Sequence, residues 1–542
     1  MAKKSKYTDW TKEELIKRIE TIEKRKKYGL VWDEEKTKER FEEDAEGKLP
    51  VLVEDRKMEI MTDADKPVNI LIEGDNYHAL SVLNYTHPKS IDVIYIDPPY
   101  NTGNNDFKYN DRFVDKEDAY RHSKWISFMS KRLRLAKNLL KDNGVIFISI
   151  DENELGQLKL LIDNYIFNEK NNHAILTWIK RTKPTNMGKA RFKIQQNVEY
   201  VLVYSLSTSE DYPGFKILEK AKKDYPDKGK FGACRFADLE RRNTGAMTRN
   251  TMLYELLGQK PRPGYRWQIS QKEAERLIEM ERIELINGKP KITIYPEDED
   301  GISYSPFWSH LLETDTAETG KAELSAILGH EHGFDTVKPI NLLKRIFEHF
   351  EKDIIVLDFF AGTGTTGHTI MELNEEDKGT RQYILCTNNE GDICIDICYP
   401  RIKKAIIGYK TPKGKIVKGF KGNLKYFKTA FVGSEPTHRN KKMLTDNSVE
   451  MLCVKENTFE EVLDKKQYRI FKNREKYLAI LFDEMQIDAF KKEIGKLKMP
   501  VSVYVFSLEG DDFREEFEDL KNKITLCSIP EAILKVYKRI FR

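Results

Sequence analysis

The sequence predicts an α/β fold built on a doubly wound, mainly parallel sheet. Three observations predict it. Short β-branched runs alternate with amphipathic helical stretches in two separate blocks, as in a sheet covered by helices on both faces. Two of those runs end in turns of unusual composition, Asp97-Pro98-Pro99-Tyr100 and Asp358 to Gly367. Between the blocks, from about Trp178 to Asp335, the alternation is lost, and Pro, Gly and basic residues scatter among short runs.

The elements follow in order. Thr11 caps a first helix, with Glu14 at the capping-box position. Leu15, Ile19 and Ile22 then repeat at helical spacing among Lys and Glu, giving a solvated amphipathic helix docked on the body or on a partner. Val68 to Ile72 is a strand followed by Glu73-Gly74-Asp75-Asn76 and a helix from Tyr77 to about Asn84. Ile91 to Ile96 is the strand that runs into Asp97. A helix from about Trp125 to Leu140 carries Ile126, Met129, Leu133 and Leu140 near one face, and Asp142-Asn143-Gly144 breaks it. Val145 to Ile150 is a strand and Leu155 to Ile166 a helix. After the irregular stretch, Lys338-Pro339 precedes a helix through Leu342, Leu343, Ile346 and Phe347. Ile354 to Leu357 is a strand, followed by a glycine-rich turn and helix and the strand Gln382 to Cys386. Beyond Gly408 an α+β segment has helices near Thr458 and Ile487 and a strand from Val501 to Phe506. The predicted organisation is a helical segment 1–67, α/β halves 68–177 and 336–408, an insert 178–335 between them, and a C-terminal domain 409–542.

Length and composition bound the class. At roughly 100–200 residues per domain, 542 residues allow about three or four domains. Hydrophobic residues are 39% and charged residues 33%, more polar than the globular averages of about 45–50% and about 25%. No apolar run approaches the ~18 residues of a membrane span. Met1-Ala2-Lys3-Lys4 leads into charged helix, so secretion is not expected. Lys+Arg number 92 and Asp+Glu 88, a balance that does not itself establish a nucleic-acid partner. The six cysteines form no C-x-x-C pair, and a cytoplasmic chain with free thiols is expected.

Asp97-Pro98-Pro99-Tyr100 directly follows a buried strand, where doubly wound sheets bind ligands. Two prolines fix φ and remove two N–H donors, leaving their carbonyls as acceptors. The turn offers a carboxylate, a rigid carbonyl and an aromatic face. That set suits an exocyclic amine on a flat heterocycle: the amine donates to Asp97 and to the Pro98 carbonyl, and Tyr100 stacks on the ring. Two acceptors favour pyramidal nitrogen and free its lone pair. The competing reading is a Pro-rich turn with Asp97 as a solvated cap.

In Asp358-Phe-Phe-Ala-Gly-Thr-Gly-Thr-Thr-Gly367, Gly362 and Gly364 let a ligand approach the backbone. With Gly367 they form a literal G-x-G-x-x-G, which fits NAD, FAD or S-adenosylmethionine, or a tight turn without ligand. Asp358 would repel a pyrophosphate and attract the ammonium of a methionine moiety.

Together the two motifs resemble S-adenosylmethionine-dependent amino-methyltransferases of DNA. The catalytic motif precedes the cofactor loop with an insert between, an order that looks like the β class of N6-adenine DNA methyltransferases. The resemblance is closest to modification subunits of type III restriction–modification systems. It extends over Ile72 to Asn76, DPPYNTG from Asp97 to Gly103, GVIFISID from Gly144 to Asp151, Lys338-Pro339, Met451 to Val462, and Ile529 to Leu534. It implies a Rossmann-like methyltransferase sheet with circularly permuted motif order, an inserted target-recognition domain and an α+β assembly domain. It implies that Asp97, Pro98, Pro99 and Tyr100 grip a flipped adenine. Asp358, Phe360, Gly362, Thr363, Gly364 and Thr365 line S-adenosylmethionine, Asp75 and Asn76 lie near its adenine, and Lys338 and Pro339 near its methionine end. Glu390 is the ribose-binding candidate, several residues later than usual, and Phe359 replaces a frequent proline. The resemblance also implies double-stranded DNA as substrate, a homodimer, a helicase-nuclease restriction subunit as partner, and no membrane.

The insert is the expected DNA reader, since a base inside a duplex must be flipped out and its flanks held. Lys180, Arg181, Lys183, Lys189, Arg191 and Lys193 form a cluster without acidic residues, suited to phosphates and guanine edges. Arg241, Arg242, Arg249, Lys260, Arg262 and Arg266, near Tyr265 and Trp267, form a second. Both compete with an ordinary solvated face. His330-Glu331-His332 lacks zinc-helix spacing and a third ligand, and Cys394 and Cys398 read as core packing. The alternatives to adenine methylation are cytosine N4 methylation, a solitary methyltransferase, an NAD- or FAD-dependent oxidoreductase, and a catalytically silent DNA-binding or assembly subunit.

Overall fold

The computed structural model describes residues 10–23, 32 and 47–540, except 104–105, 110–111, 185–187, 189–191, 193, 223, 244–248, 300–301, 335, 436, 508–512 and 530. The chain forms two compact units, one of residues 1–214 with 308–542, the other Phe215–Phe307.

The first unit is organised by one long sheet. Its main strands are β1 (Lys48–Glu54), β2 (Val68–Glu73), β3 (Ile91–Ile96), β4 (Leu140–Ile150), β5 (Asn172–Ile179), β6 (Val198–Ser205), β7 (Ile355–Asp358), β8 (Gln382–Thr387) and β9 (Asn423–Gly433). They lie in the order β1-β9-β2-β8-β7-β3-β4-β6-β5. The run from β9 to β4 is parallel throughout, and β1, β6 and β5 add antiparallel flanks. Leu71, Ile72, Ile94, Ile96, Ile148 and Leu357 are fully buried, as continuous apolar runs require when both faces are covered. The helices that matter to the site are α1 (Asn76–Thr86), α2 (Arg121–Lys137), α3 (Ile340–Phe347), α4 (Thr365–Asp377) and α5 (Tyr399–Ile407). The first helix, Lys12–Glu23, has the predicted capping box: the Glu14 N–H donates to Thr11 Oγ1 at 3.2 Å and the Thr11 N–H to Glu14 Oε2 at 2.8 Å.

Two boundaries differ from the sequence reading. The expected insert begins at 178, but β6 returns to the central sheet against β4, and the separate unit starts only at Phe215. The tail beyond 408 contributes β9, which pairs with both β1 and β2. It then forms a five-stranded sheet, Glu460–Asp464, Tyr468–Lys472, Tyr477–Leu481, Val501–Phe506 and Ile524–Ile529. The helix expected near Thr458 is Val449–Glu456, ended by Asn457 in the left-handed region at φ 53°.

The second unit holds a four-stranded antiparallel sheet, Asp227–Gly229, Gly232–Asp238, Lys289–Ile294 and Ile283–Ile286 in spatial order. Its small core is Leu239, Leu256, Trp267, Ala274 and Ile283. The pair Glu240–Arg242 and Tyr265–Trp267 carries part of the second basic cluster.

Candidate active site

The centre of the sheet is a topological switch point. The chain leaves β3 toward β4 and leaves β7 toward β8 on the other side, so a crevice opens at their carboxyl ends. β3 and β7 are neighbours in register, Val93 against Val356 and Ile94 against Leu357. Asp97 and Asp358 therefore emerge at the same edge, and the two turns share one cleft.

The acceptor turn is held from behind. The Trp125 indole N–H donates to the Pro99 carbonyl at 2.7 Å. The Pro98 carbonyl accepts no hydrogen bond from the described residues. Asn101, buried at φ 57°, closes the turn and donates to Glu154 Oε1 at 2.5 Å; Asn tolerates this backbone region better than bulkier residues. Asp97 is partly exposed and engaged on its inner side. Lys338 Nζ donates to Asp97 Oδ1 at 2.8 Å and Oδ2 at 2.9 Å. The Tyr100 hydroxyl lies 2.8 Å from Asp97 Oδ1 and 3.0 Å from Glu199 Oε2, so its single hydrogen serves one carboxylate at a time. Lys338 also reaches Glu199 Oε2 at 3.1 Å, and Lys180 reaches Glu199 Oε1 at 3.3 Å.

Burial pushes the Lys338 ammonium down, but the Asp97 and Glu199 carboxylates outweigh it and hold the group above its ordinary value. Burial raises the Glu199 carboxyl, but Lys338 and Lys180 hold it below the usual carboxylate range. Burial, then Asp97 and Glu199, push the Tyr100 phenol well up. At neutral pH Glu199 is thus an ionised carboxylate, Lys338 an ammonium and Tyr100 a neutral phenol.

On the other side, Asp358 is buried. It accepts from Thr366 Oγ1 at 2.5 Å and from the Phe360 N–H at 3.0 Å. Burial pushes its carboxyl up to about 7, against those two bonds. Gly362 and Gly364 take positive φ, 50° and 77°. At Gly364 the positive φ favours glycine, and a Cβ would press on Cys398 Sγ at 3.1 Å. Arg401 of α5 lies fully buried behind the turn, donating to Thr365 Oγ1 at 2.7 Å and Thr363 Oγ1 at 3.3 Å. Its Nε and Nη2 have no hydrogen-bond partner among the described residues, and desolvation lowers its pKa to about 10. The turn is therefore flanked on one side by the Asp358 carboxyl, which has no salt bridge among the described residues, and on the other by a guanidinium that feels the Glu323 carboxylate without a salt bridge to it among the described residues. That field fits a zwitterionic amino-acid moiety. The Phe360 ring stands 5.8 Å from Phe128 and 5.3 Å from Phe359, forming an aromatic wall beside it.

A family model described as DNA methylase matches residues 91–411, more than half of the chain. The chain belongs to the DNA methylase family. Members with curated names include the type III restriction-modification enzyme StyLTI Mod subunit of Salmonella typhimurium, 33% identical over 63% of this chain and 56% of that protein. The type II methyltransferase M.KpnI of Klebsiella pneumoniae is 32% identical over 63% of this chain and 84% of that protein. The type III restriction-modification enzyme EcoPI Mod subunit of Escherichia phage P1 is 29% identical over 63% of this chain and 60% of that protein. The chain thus spans somewhat over half the length of the Mod subunits it matches.

Within this methylase fold the other sequence candidates find their places. Asp75 caps α1, accepting from the Tyr77 N–H at 2.7 Å, and pairs with Arg132 at 3.2 Å. Asn76 Nδ2 donates to the Phe359 carbonyl at 2.9 Å, tying α1 to the glycine turn. Lys338 was expected at the methionine end; its ammonium lies instead on Asp97 and Glu199, because a buried cation seeks carboxylates. Only its backbone faces the glycine turn, its carbonyl accepting from Thr365 Oγ1 at 3.2 Å. Pro339 starts α3. Glu390 is exposed in the short turn Glu390–Asp392 after β8. Of the first basic cluster, Lys180 is drawn to Glu199, Arg181 lies 3.4 Å from Glu318 and Lys183 is exposed; Lys189, Arg191 and Lys193 lie outside the described residues. In the second unit Arg241, Arg242, Arg249, Lys260 and Arg262 are exposed, whereas Arg266 is buried. His332 is engaged locally, Nε2 with the Lys321 carbonyl at 3.2 Å and Nδ1 with the Phe334 N–H at 3.2 Å.

Sequence reasoning missed Glu199, Trp125 and Arg401. Glu199 carried a usable signal: a carboxylate inside the alternating run Val198 to Ser205 must be either solvated or paired. Arg401 had none, since its burial depends on how α5 packs.

Proposed function

We propose that this chain is a site-specific DNA methyltransferase, acting on adenine N6 with S-adenosylmethionine, and the modification subunit of a type III restriction–modification system. The observation that carries the reading is the shared cleft: an accessible carboxylate and an unused proline carbonyl on one side, and on the other, beside a glycine turn, a carboxyl with no salt bridge among the described residues.

Asp358, Phe360, Gly362 and Gly364 would hold S-adenosylmethionine. When bound, it supplies an electrophilic methyl group on a sulfonium. The rest is work for the chain's own side chains. An adenine extruded from the duplex donates one amine hydrogen to an oxygen of Asp97 and the other to the Pro98 carbonyl. Trp125 fixes the turn through Pro99, so that neither acceptor drifts as the base enters. Before the base arrives, Lys338 and Tyr100 hold the Asp97 side chain in place. Transfer would break the carbon–sulfur bond and leave a neutral thioether as N6 bonds to the methyl carbon; N6 then carries the positive charge, and Asp97 is the first acceptor for the proton it loses. An NAD or FAD site fits less well, because Asp358 faces the glycine turn where a pyrophosphate would have to sit. Duplex DNA is the substrate. A second copy and a helicase-nuclease subunit are the partners, a reading supported by the similarity to Mod subunits. Among the described residues no helix is long and apolar enough to cross a membrane, and a cytoplasmic location goes with the proposed activity.

The test is single-molecule sequencing of DNA from cells expressing the chain or its Asp97→Ala variant. N6-methyladenine at one recurring sequence, absent with the variant, is the expected result. N4-methylcytosine would move the reading to the cytosine enzymes, and unmodified DNA with the intact chain would sink it.

A further inference from the structure

The Lys338 ammonium occupies the place on Asp97 that the proposed function gives to the target amine. It donates to both Asp97 oxygens, at 2.8 and 2.9 Å, while Tyr100 takes a further position on Oδ1. Lys338 therefore engages two of the roughly four lone-pair directions of a carboxylate in the base-free site, and a third is engaged when the Tyr100 hydrogen lies on Asp97. The ammonium is also 3.1 Å from Glu199 and 2.9 Å from the Tyr100 oxygen. Tyr100 and Trp178 wall it in, 5.1 and 5.5 Å from their ring centres. The Lys338 backbone is pinned. The helix Ala317–Leu328 packs so closely that a Cβ on Gly320 would meet the Val337 carbonyl at 2.2 Å, and Thr365 holds the Lys338 carbonyl. Only the side chain is free to redistribute, and the second carboxylate within its reach is Glu199.

Building on that function, we propose that Lys338 is a stand-in donor that fills the amine position on Asp97 and shifts its hydrogen bonds onto Glu199 when the base enters. Glu199 is then a positioning residue. Without it the ammonium could leave Asp97 only by becoming an unpaired buried cation, which is strongly unfavourable. With it the ammonium keeps a full counter-charge throughout, and Asp97 exchanges a charged donor for a neutral one. Lys180, on the far oxygen of Glu199, limits how tightly Glu199 can hold Lys338, so the exchange stays reversible. Donors that compete for one carboxylate make base capture a difference between two hydrogen bonds rather than the gain of one.

The experiment uses the full chain and a duplex carrying the sequence methylated in cells. The target position holds either adenine or purine, which lacks the amine. The purine-to-adenine ratio of dissociation constants, measured with S-adenosylhomocysteine present, reports the amine's hold on Asp97. In Lys338→Met the competitor is gone, and the ratio rises about tenfold, the size of one hydrogen bond to a charged acceptor. In Glu199→Gln the ammonium stays on Asp97, the ratio falls toward one, and KM for DNA rises more than kcat falls. S-adenosylhomocysteine binding by calorimetry, unchanged in both, establishes that each variant is folded. An unchanged or lowered ratio in Lys338→Met overturns the inference, as does a wild-type ratio in Glu199→Gln should the lysine variant fail to fold. These outcomes are read only where the wild-type chain methylates DNA, so failure of the function itself is seen separately.

Discussion

Asp358 supplies the most quantitative consequence of the site. Burial pushes its carboxyl up to about 7 in the ligand-free protein. The sign follows from which state holds the proton. Between pH 4 and 7 the folded chain retains a proton at Asp358 that the unfolded chain, with an ordinary carboxyl near 3.8, has lost. Stability therefore falls as pH rises through that window, by at most about 4 kcal/mol for a shift of this size. A ligand ammonium beside Asp358 favours the ionised form, so binding expels the proton. For a carboxyl near 7, about half a proton leaves per ligand at pH 7 and about nine-tenths at pH 6, and the dissociation constant weakens about fivefold from pH 7 to pH 6. The assay is calorimetric titration with S-adenosylhomocysteine in buffers of different ionisation enthalpy, where the slope of heat against buffer enthalpy gives the protons released. Asp358→Asn is expected to bind more weakly, release no proton and lose the pH dependence below 7, while gaining thermal stability at pH 8. Buffer-independent heats with the wild-type chain, together with flat affinity from pH 6 to 7, would refute the assignment of Asp358 to a ligand ammonium.

Asp97→Ala should abolish methyl transfer while leaving the calorimetric affinity for S-adenosylhomocysteine within about twofold, since Asp97 touches the acceptor turn and not the glycine turn. Gly364→Leu places a side chain at φ 77° and 3.1 Å from Cys398 Sγ; cofactor affinity should fall at least about tenfold, and denaturant melts should show about 1–3 kcal/mol lost. Trp125→Phe deletes the donor to the Pro99 carbonyl; kcat should fall about tenfold with the cofactor dissociation constant unchanged, a loss of the size of one buried hydrogen bond.

The parallel sheet was legible because its strands are continuous apolar runs bounded by turns, and both chemical turns sit where such runs stop. Asp97, Pro98, Tyr100, Asp358 and the glycines could be located for the same reason: strand ends in a doubly wound sheet are ligand positions whatever the loops do. What could not be read was anything set by packing between distant segments. Lys338 and Asp97 lie 241 residues apart, and nothing local distinguishes an ammonium aimed at an acceptor carboxylate from one aimed at a ligand. β6 was lost inside the insert because its polar surroundings, from Lys183 to Asn197, masked an otherwise regular run. β9 was assigned to the tail because sheet membership depends on a partner, β2, some 355 residues earlier.

The permuted order of the motifs follows from the same geometry. A cleft at a switch point needs two parallel strands side by side whose chains depart in opposite directions. It does not need them to be near in sequence, nor in a given order. β3 and β7 satisfy that condition with an entire compact unit and β4 to β6 between them. The sequence between the turns is thereby released from forming the site and can carry other work, with one exception. β6 must lie against β4 so that Glu199 comes within 3.1 Å of Lys338. Whatever segment is inserted after β4 has to start from a strand that returns to the sheet, because the acceptor cluster draws its second carboxylate from that strand.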